Sequence, residues 1–230
     1  MTSANHPHHL IEKTQQALHR TLPNARIEIQ SLPLLAEQSL RLGLINADFP
    51  LGPLPPEVMH AVIANPAYWS FCWGSGLSMA RWLLTKPELV AGKRVADVGC
   101  GSGVVAIAAA QAGAAAVIAC DNDADALTAT AMNAALNEVQ LELLDDVANL
   151  DQVDLILMAD VLYDRSNFAL INIAKQHAED ILIADSRVSD VEDGDFRIIH
   201  RDEELTLPNL GEFDEFRYVS FFARGLDRFR

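Results

Sequence analysis

The sequence predicts a doubly wound α/β domain, with a mostly parallel seven-strand sheet, an antiparallel C-terminal hairpin and an N-terminal extension. Three observations carry this. Short apolar blocks alternate with helical stretches of about ten residues between positions 94 and 184, the pattern of right-handed crossovers between parallel strands. A run of closely spaced glycines, Gly99, Gly101 and Gly103, falls where one apolar block passes into a helical stretch. The last two apolar blocks, Phe196–His200 and Phe216–Phe222, have a polar, turn-rich segment between them and no clear helix after the second, which predicts antiparallel pairing at one sheet edge.

Taken in order, residues 8–21 have the spacing of an amphipathic helix, and Arg26-Ile-Glu-Ile-Gln30 alternates like a strand. Leu40–Ile45 reads as a second strand, and the prolines between Pro50 and Pro56 predict a loop, because they remove backbone donors and block helix growth. Texture changes near residue 88, which divides the chain into an extension with an aromatic entrance over 1–87 and a core over 88–230. The core is expected to run as strand (Arg94–Val98), helix (Val104–Gln111), strand (Ala116–Cys120) and helix (Ala124–Asn137). Strands at Val139–Leu144 and Val153–Met158, a helix at Asn167–Ala178 and a strand at Ile181–Ala184 continue it. Each strand is nearly continuous in apolar residues, as expected for a sheet covered on both faces.

Composition narrows the function classes. The chain has 230 residues, 50% hydrophobic, with a formal net charge of −15. Such a field repels phosphate backbones and anionic lipid headgroups, so neither a nucleic-acid nor a membrane partner is expected. The N-terminus shows no basic segment followed by an apolar one, which predicts a cytoplasmic protein. Cys72, Cys100 and Cys120 stand far apart and read as reduced, mostly buried thiols. Gly103–Cys120, the one stretch that mimics a membrane span, is broken by Gln111-Ala-Gly113 into a helix and a strand. His6, His8 and His9 read as a mobile histidine-bearing terminus, and no metal is expected.

The glycine loop holds the strongest chemical signal. Its glycines permit a sharp bend and close approach of a ligand, and the following helix offers unpaired N–H groups. A dinucleotide fingerprint needs a third glycine at position 104, where Val104 stands; the spacing is G-x-G-x-G, with Asp97 two residues ahead. Asp97 would repel a pyrophosphate but suits a ligand with an ammonium group, such as the amino-acid end of S-adenosylmethionine. Asp121, with Asn122 beside it, ends the next strand, where a carboxylate can accept both hydroxyls of a ribose. Asp145 and Asp146 follow the third strand within reach of an adenine amino group. The competing readings are a tight structural turn for the loop and a solvated turn for Asp145-Asp146.

At this point the chain resembles the class I, seven-strand S-adenosylmethionine-dependent methyltransferases, and within them the lysine methyltransferases of the electron transfer flavoprotein beta subunit and their bacterial relatives. The resemblance runs from about Leu40 to Phe222 and rests on Pro66–Gly76, Gly92–Ala110, Asp160-Val-Leu-Tyr163 and Ile181–Arg187. It implies S-adenosylmethionine as cofactor, S-adenosylhomocysteine as product, no metal, and a protein substrate presenting a lysine. It assigns Asp160 and Tyr163 to the catalytic and substrate-binding end, where they orient the amine and help its proton leave. A packed tyrosine beside a helix-capping aspartate is the competing reading. Cofactor contacts are expected from Trp73, Asp97, Gly99, Cys100, Gly101, Gly103, Asp121, Asn122, Asp145 and Asp146, with Trp69 nearer the substrate; Cys100 contributes its backbone. Tyr68 and Phe71 read more readily as core fillers than as site residues.

The family usually carries Trp-Pro-Gly-Gly or Trp-Ala-Gly-Gly where this chain has Trp73-Gly-Ser-Gly76, a departure that bears on loop geometry and substrate. Asn65-Pro-Ala-Tyr68 resembles the N-P-P-Y of amino-methylating nucleic-acid enzymes, but Ala67 breaks the motif and Asp160-x-x-Tyr163 already fills the strand-end position. The reading is therefore an N-methyltransferase acting on a lysine, or alternatively an N-terminal amine, of a cytosolic protein, with the flavoprotein subunit among the candidate acceptors. Small-molecule amine methylation and a non-catalytic cofactor-binding module are the alternatives.

Overall fold

The computed structural model describes residues 7–35 and 38–226. Seven strands make one sheet: β3 (Arg94–Val98), β4 (Ala116–Cys120), β5 (Glu142–Leu144), β6 (Leu155–Ala159), β7 (Asp180–Asp185), β8 (Arg197–Glu203) and β9 (Tyr218–Arg224). Their order is β5-β4-β3-β6-β7-β9-β8. The first five are parallel, and β9 runs antiparallel to both β7 and β8. The order reverses at β3, whose neighbours β4 and β6 lead in opposite directions, and a crevice opens at the carboxyl ends of the strands there.

Strand periodicity divides the core. Val95, Leu155 and Leu157 point to one face with Leu77, Leu83 and Ile107, from helices α3 (Gly74–Thr85) and α4 (Val104–Gln111). Ala96, Val98, Ile156 and Met158 point to the other, against Ile171 and Ala174 of helix α6 (Ala169–His177). Both faces are covered, which is why these strands carry no polar alternation. A separate antiparallel pair, β1 (Ile27–Leu35) and β2 (Gln38–Ile45), contributes Leu40, Leu42 and Leu44 to the first face, so apolar packing crosses residue 88. Helix α1 (Pro7–Thr21) lays Ala17 and Leu18 on Ala126 and Ala129 of helix α5 (Ala124–Leu136). Arg20 reinforces that contact with a 2.6 Å hydrogen bond to Asp125.

Four expectations need correction. The third core strand covers only Glu142–Leu144, because this edge strand pairs with just the last three residues of β4, and Val139 and Leu141 pack on the core as a connection. The helix expected from Asn167 begins instead with a 3-10 turn, Arg165–Phe168, that Asp164 caps through Ser166, and becomes α-helical at Ala169. Strands β8 and β9 begin one and two residues later than expected and are joined by a long connection, residues 204–217. Helix α2 (Pro56–Ala64) follows the proline loop unannounced: Pro56 occupies its first turn, where the missing N–H costs nothing, and none of its residues is buried enough to give a periodic signature. Gly103–Cys120 forms α4, a turn and β4; among the described residues no helix is long and apolar enough to cross a membrane. His8 and His9 lie exposed in the first turn of α1, and His6 lies outside the described residues.

Candidate active site

The crevice is a cavity of about 990 Å³. Its floor is the glycine loop between β3 and α4. Gly99 has φ 77°, and a Cβ there would lie 2.7 Å from Val161 Cγ2, so only glycine lets the loop pass beneath the segment that follows β6. Gly103, at φ 78°, forms the N-cap of α4 against Thr130, where a Cβ would meet Cγ2 at 2.9 Å. The two glycines thus tie the loop to both neighbouring walls. Gly99 and Cys100 both donate their N–H to the Cys120 carbonyl, at 2.8 and 3.1 Å.

Gly99 and Gly101 border the cavity; Cys100 and Gly103 do not. The Cys100 thiol faces inward to Thr130 Oγ1 at 3.3 Å. Asp97 also lies off the cavity, because strand alternation turns it toward α4, where it is 1% exposed and accepts the Ala106 N–H at 3.0 Å. Burial pushes its carboxyl up to about 7, against the pull of that hydrogen bond. Asp97 supports the loop from beneath. Asp121 does face the cavity, accepting the Gly101 N–H at 2.9 Å and the Asp123 N–H at 3.0 Å, and burial raises its pKa. Asn122, Asp145 and Asp146 complete this end. Asp146 also accepts the Ala148 N–H at 2.9 Å, so the turn role and the cavity position coexist.

The opposite end of the cavity is built from distant segments. Asp160 adopts φ 51°, a left-handed conformation that costs a non-glycine residue roughly 1–2 kcal/mol. Several contacts enforce the turn. Its N–H donates to the Ala184 carbonyl at 3.0 Å, the Leu162 N–H donates to Asp185 at 3.0 Å, and Asn167 Nδ2 donates to the Val161 carbonyl at 2.8 Å. The Asp160 carboxylate is 5% exposed. Its Oδ2 accepts the Ser75 N–H at 2.9 Å, and Oδ1 accepts the hydroxyls of Ser75 at 2.6 Å and Ser186 at 3.3 Å. Since Ser75 is in the first turn of α3, the carboxylate caps that helix from across the fold. Burial, then the nearby Asp185, pushes its pKa up to about 6, with the Ser75 donors and Arg187 pulling the other way.

Arg187 is the one cation among the described residues that line the cavity. Its guanidinium lies 3.6 Å from Asp160 and donates to Glu212 at 3.0 Å, with its carbon 5.3 Å from the Trp73 ring centre and 4.5 Å from that of Phe216. Tyr163 is half exposed at the rim and meets Tyr68 edge-on at 5.4 Å. Burial raises the Tyr163 phenol. Trp73 borders the cavity beside Arg187, its indole N–H donating to the Tyr68 carbonyl at 2.9 Å. Trp69 lies against the glycine loop instead: a Cβ on Gly101 would stand 4.0 Å from its Cα. Both tryptophans line the cavity, Trp73 beside Arg187 and the Trp69 main chain beside the glycine loop. Asn65, Pro66 and Tyr68 of the N-P-A-Y segment also reach the cavity.

Ser75 and Arg187 were not singled out as site residues from the sequence. A signal existed for each: Ser75 is the departure inside Trp73-Gly-Ser-Gly76, and Arg187 follows a parallel strand at its carboxyl end, the edge of the sheet where ligands bind. Burial pushes all three cysteine thiols up, which leaves none as a nucleophile. Among the described residues no group of three metal-ligating side chains gathers.

A switch-point crevice with a left-handed glycine floor and a strand-end carboxylate has known counterparts. A family model described as ribosomal protein L11 methyltransferase (PrmA) matches residues 82–181. The electron transfer flavoprotein beta subunit lysine methyltransferase of Danio rerio is 38% identical over 152 residues, covering 62% of this chain and 59% of that protein. The ribosomal protein L11 methyltransferase of Stenotrophomonas maltophilia is 53% identical over 62 residues, 26% of this chain and 20% of the relative. Among solved structures, the 16S rRNA methyltransferase RsmC from T. Thermophilus, in complex with AdoMet and guanosine, superposes with a TM-score of 0.54 at 16% identity, covering 87% of this chain and 50% of that one. The chain has the class I methyltransferase fold. Its sequence is similar to that of the flavoprotein-subunit lysine methyltransferase of Danio rerio over 62% of its length, and to the L11 methyltransferase family model over residues 82–181. The chain spans 59% of the length of the Danio rerio relative.

Proposed function

We propose that this chain is an S-adenosylmethionine-dependent N-methyltransferase that modifies a lysine side chain of a protein, with the electron transfer flavoprotein beta subunit as the first acceptor to test. The observation that carries the reading is the single cavity joining the glycine loop and Asp121 at one end to Asp160 and Tyr163 at the other. The resident groups suit the cofactor: a carboxylate for ribose hydroxyls, a close-approach main chain, and acidic and aromatic walls for a ligand bearing ammonium and sulfonium charges. When bound, S-adenosylmethionine supplies an activated methyl group on a good leaving group.

The protein's own work is then positioning and desolvation. Asp160, at the base of the acceptor end, orients the amine, which must be neutral to attack. Tyr163 at the rim helps exclude water and pass the proton outward. Arg187 balances Asp160 and Glu212, so the acceptor end is not a bare anionic trap for an ammonium that needs to lose its proton. The overall charge of −15 steers a basic, lysine-bearing surface toward the cavity.

Purified protein is incubated with radiolabelled S-adenosylmethionine and extract from a strain lacking its gene, or with purified flavoprotein subunit. A discrete labelled protein band is expected, with labelled lysine on mass spectrometry. Asp160→Asn should lower turnover about 100-fold or more while cofactor affinity stays within about threefold. Label confined to small molecules would overturn the protein-lysine reading, and an absence of cofactor binding by calorimetry would overturn the methyltransferase reading.

A further inference from the structure

The Asp160 carboxylate does not stand alone at the acceptor end; it is gripped by Ser75, 85 positions earlier in the first turn of α3. Ser75 is fully buried, and its N–H and hydroxyl reach different oxygens of that carboxylate, at 2.9 and 2.6 Å. Two donors from one residue to two oxygens of one carboxylate remove its freedom to rotate. Ser186 and Arg187 close the Oδ1 side. A glycine or alanine at position 75 would keep the N–H bond and lose the shorter one. We propose that Ser75 is a positioning residue of the acceptor site, whose hydroxyl fixes the orientation in which Asp160 meets the incoming amine.

The groups facing Asp160 from the elements around it are Ser75 on α3, Asp185 and Arg187 at the end of β7, Glu212 on the β8–β9 connection through Arg187, and the protonated Cys72 thiol. Asp185 disfavours the carboxylate and Arg187 favours it. Burial is the largest influence and raises the pKa; the Ser75 hydroxyl works against it, since a donor to the charged form lowers the pKa and its loss raises it. Wild-type activity should fall as the pH drops through about 6, where Asp160 takes up its proton.

This inference rests on the methyl-transfer reading, and its second arm has a readout that needs no activity. In Ser75→Ala the acidic limb of the kcat/KM profile should move up by about one pH unit and the rate at neutral pH fall about tenfold. S-Adenosylmethionine affinity should hold, and Ser75→Thr, which retains a hydroxyl, should restore most of the rate. A profile coinciding with that of the wild type overturns the proposal. The second arm needs no acceptor or cofactor: Asp160 is titrated by carboxyl-carbon NMR in the full chain, assigned by its absence in Asp160→Asn, in wild type and Ser75→Ala. A higher midpoint in the variant supports the proposal, and equal midpoints overturn it. If Ser75→Ala loses helical signal, Ser75→Cys, close in size and a much weaker donor, takes its place under the same criteria. A wild type that transfers no methyl group to any acceptor removes the enzymatic reading, while the titration still decides the role of Ser75.

Discussion

The two ends of the cavity are made in different ways. At the glycine loop the chain contributes five consecutive residues, 99–103, and the polar atoms that shape it are mainly its own N–H groups, bonded to Cys120 and to the Asp121 carboxylate on the next strand. At the acceptor end Ser75, Asp160, Ser186, Arg187 and Glu212 arrive from four separate segments and meet through side chains. A main-chain cradle needs particular φ angles, which glycine provides locally. A cage around a buried carboxylate needs donors on every side, and no single segment can surround its own side chain. The ends meet where Val161 lies over Gly99.

That contact is where the comparison breaks with the largest effect. In Gly99→Ala the new methyl group meets Val161 at 2.7 Å and the residue is held at φ 77°. Left-handed strain plus overpacking adds to about 2–5 kcal/mol, which at this chain length lowers the melting temperature by roughly 5–15 °C. Because Val161 adjoins Asp160, cofactor affinity and turnover should both collapse, the former by about 100-fold or more in calorimetry. A variant that loses turnover and keeps its affinity would show that the loop yields without disturbing the cradle.

Arg187→Leu separates the two ends. It leaves Asp160 and Glu212, 5% and 12% exposed, without their shared cation, a loss on the order of 3 kcal/mol for a buried pair deprived of one partner. Acceptor kcat/KM should fall about 10- to 100-fold, while S-adenosylmethionine affinity changes less than about threefold. Parallel losses in both would mean that Arg187 serves the cofactor end as well.

The contrast also explains what was readable in the sequence. The α4 and β4 boundaries, the seven-strand sheet and its antiparallel edge follow from apolar periodicity and a long connection without a helix, both local properties. The short β5 and the 3-10 start ahead of α6 were not readable, since an edge strand ends where its partner does and a capping Asp164 competes with helical periodicity. Glycine spacing placed Gly99 and Gly101, and strand ends placed Asp121 and Asp160 on the cavity. Ser75 and Arg187 matter through what they touch, and those partners lie 85 and 27 positions away. Side-chain direction was the other loss: Asp97 has the motif's position, but the pleat turns it under α4, away from the cavity.

Asp97 therefore sharpens the comparison from the cofactor side, with the smallest effect on binding. Its carboxyl titrates near 7 in the fold and in the ordinary carboxylate range when unfolded. The stability it contributes is whole below the unfolded value and is lost as the pH rises through about 7. Asn at this position can still accept the Ala106 N–H and carries no charge to desolvate. Asp97→Asn should melt within about 2 °C of wild type at pH 5 and several degrees above it at pH 8, with a gap that widens across the interval. Cofactor affinity should fall less than about tenfold, because the carboxylate supports the loop from beneath. A flat gap would place the Asp97 titration in the ordinary range. A loss of affinity above 100-fold would mean that the side chain reaches the ligand directly, which would restore a side-chain contribution to the end of the cavity described here as main-chain built.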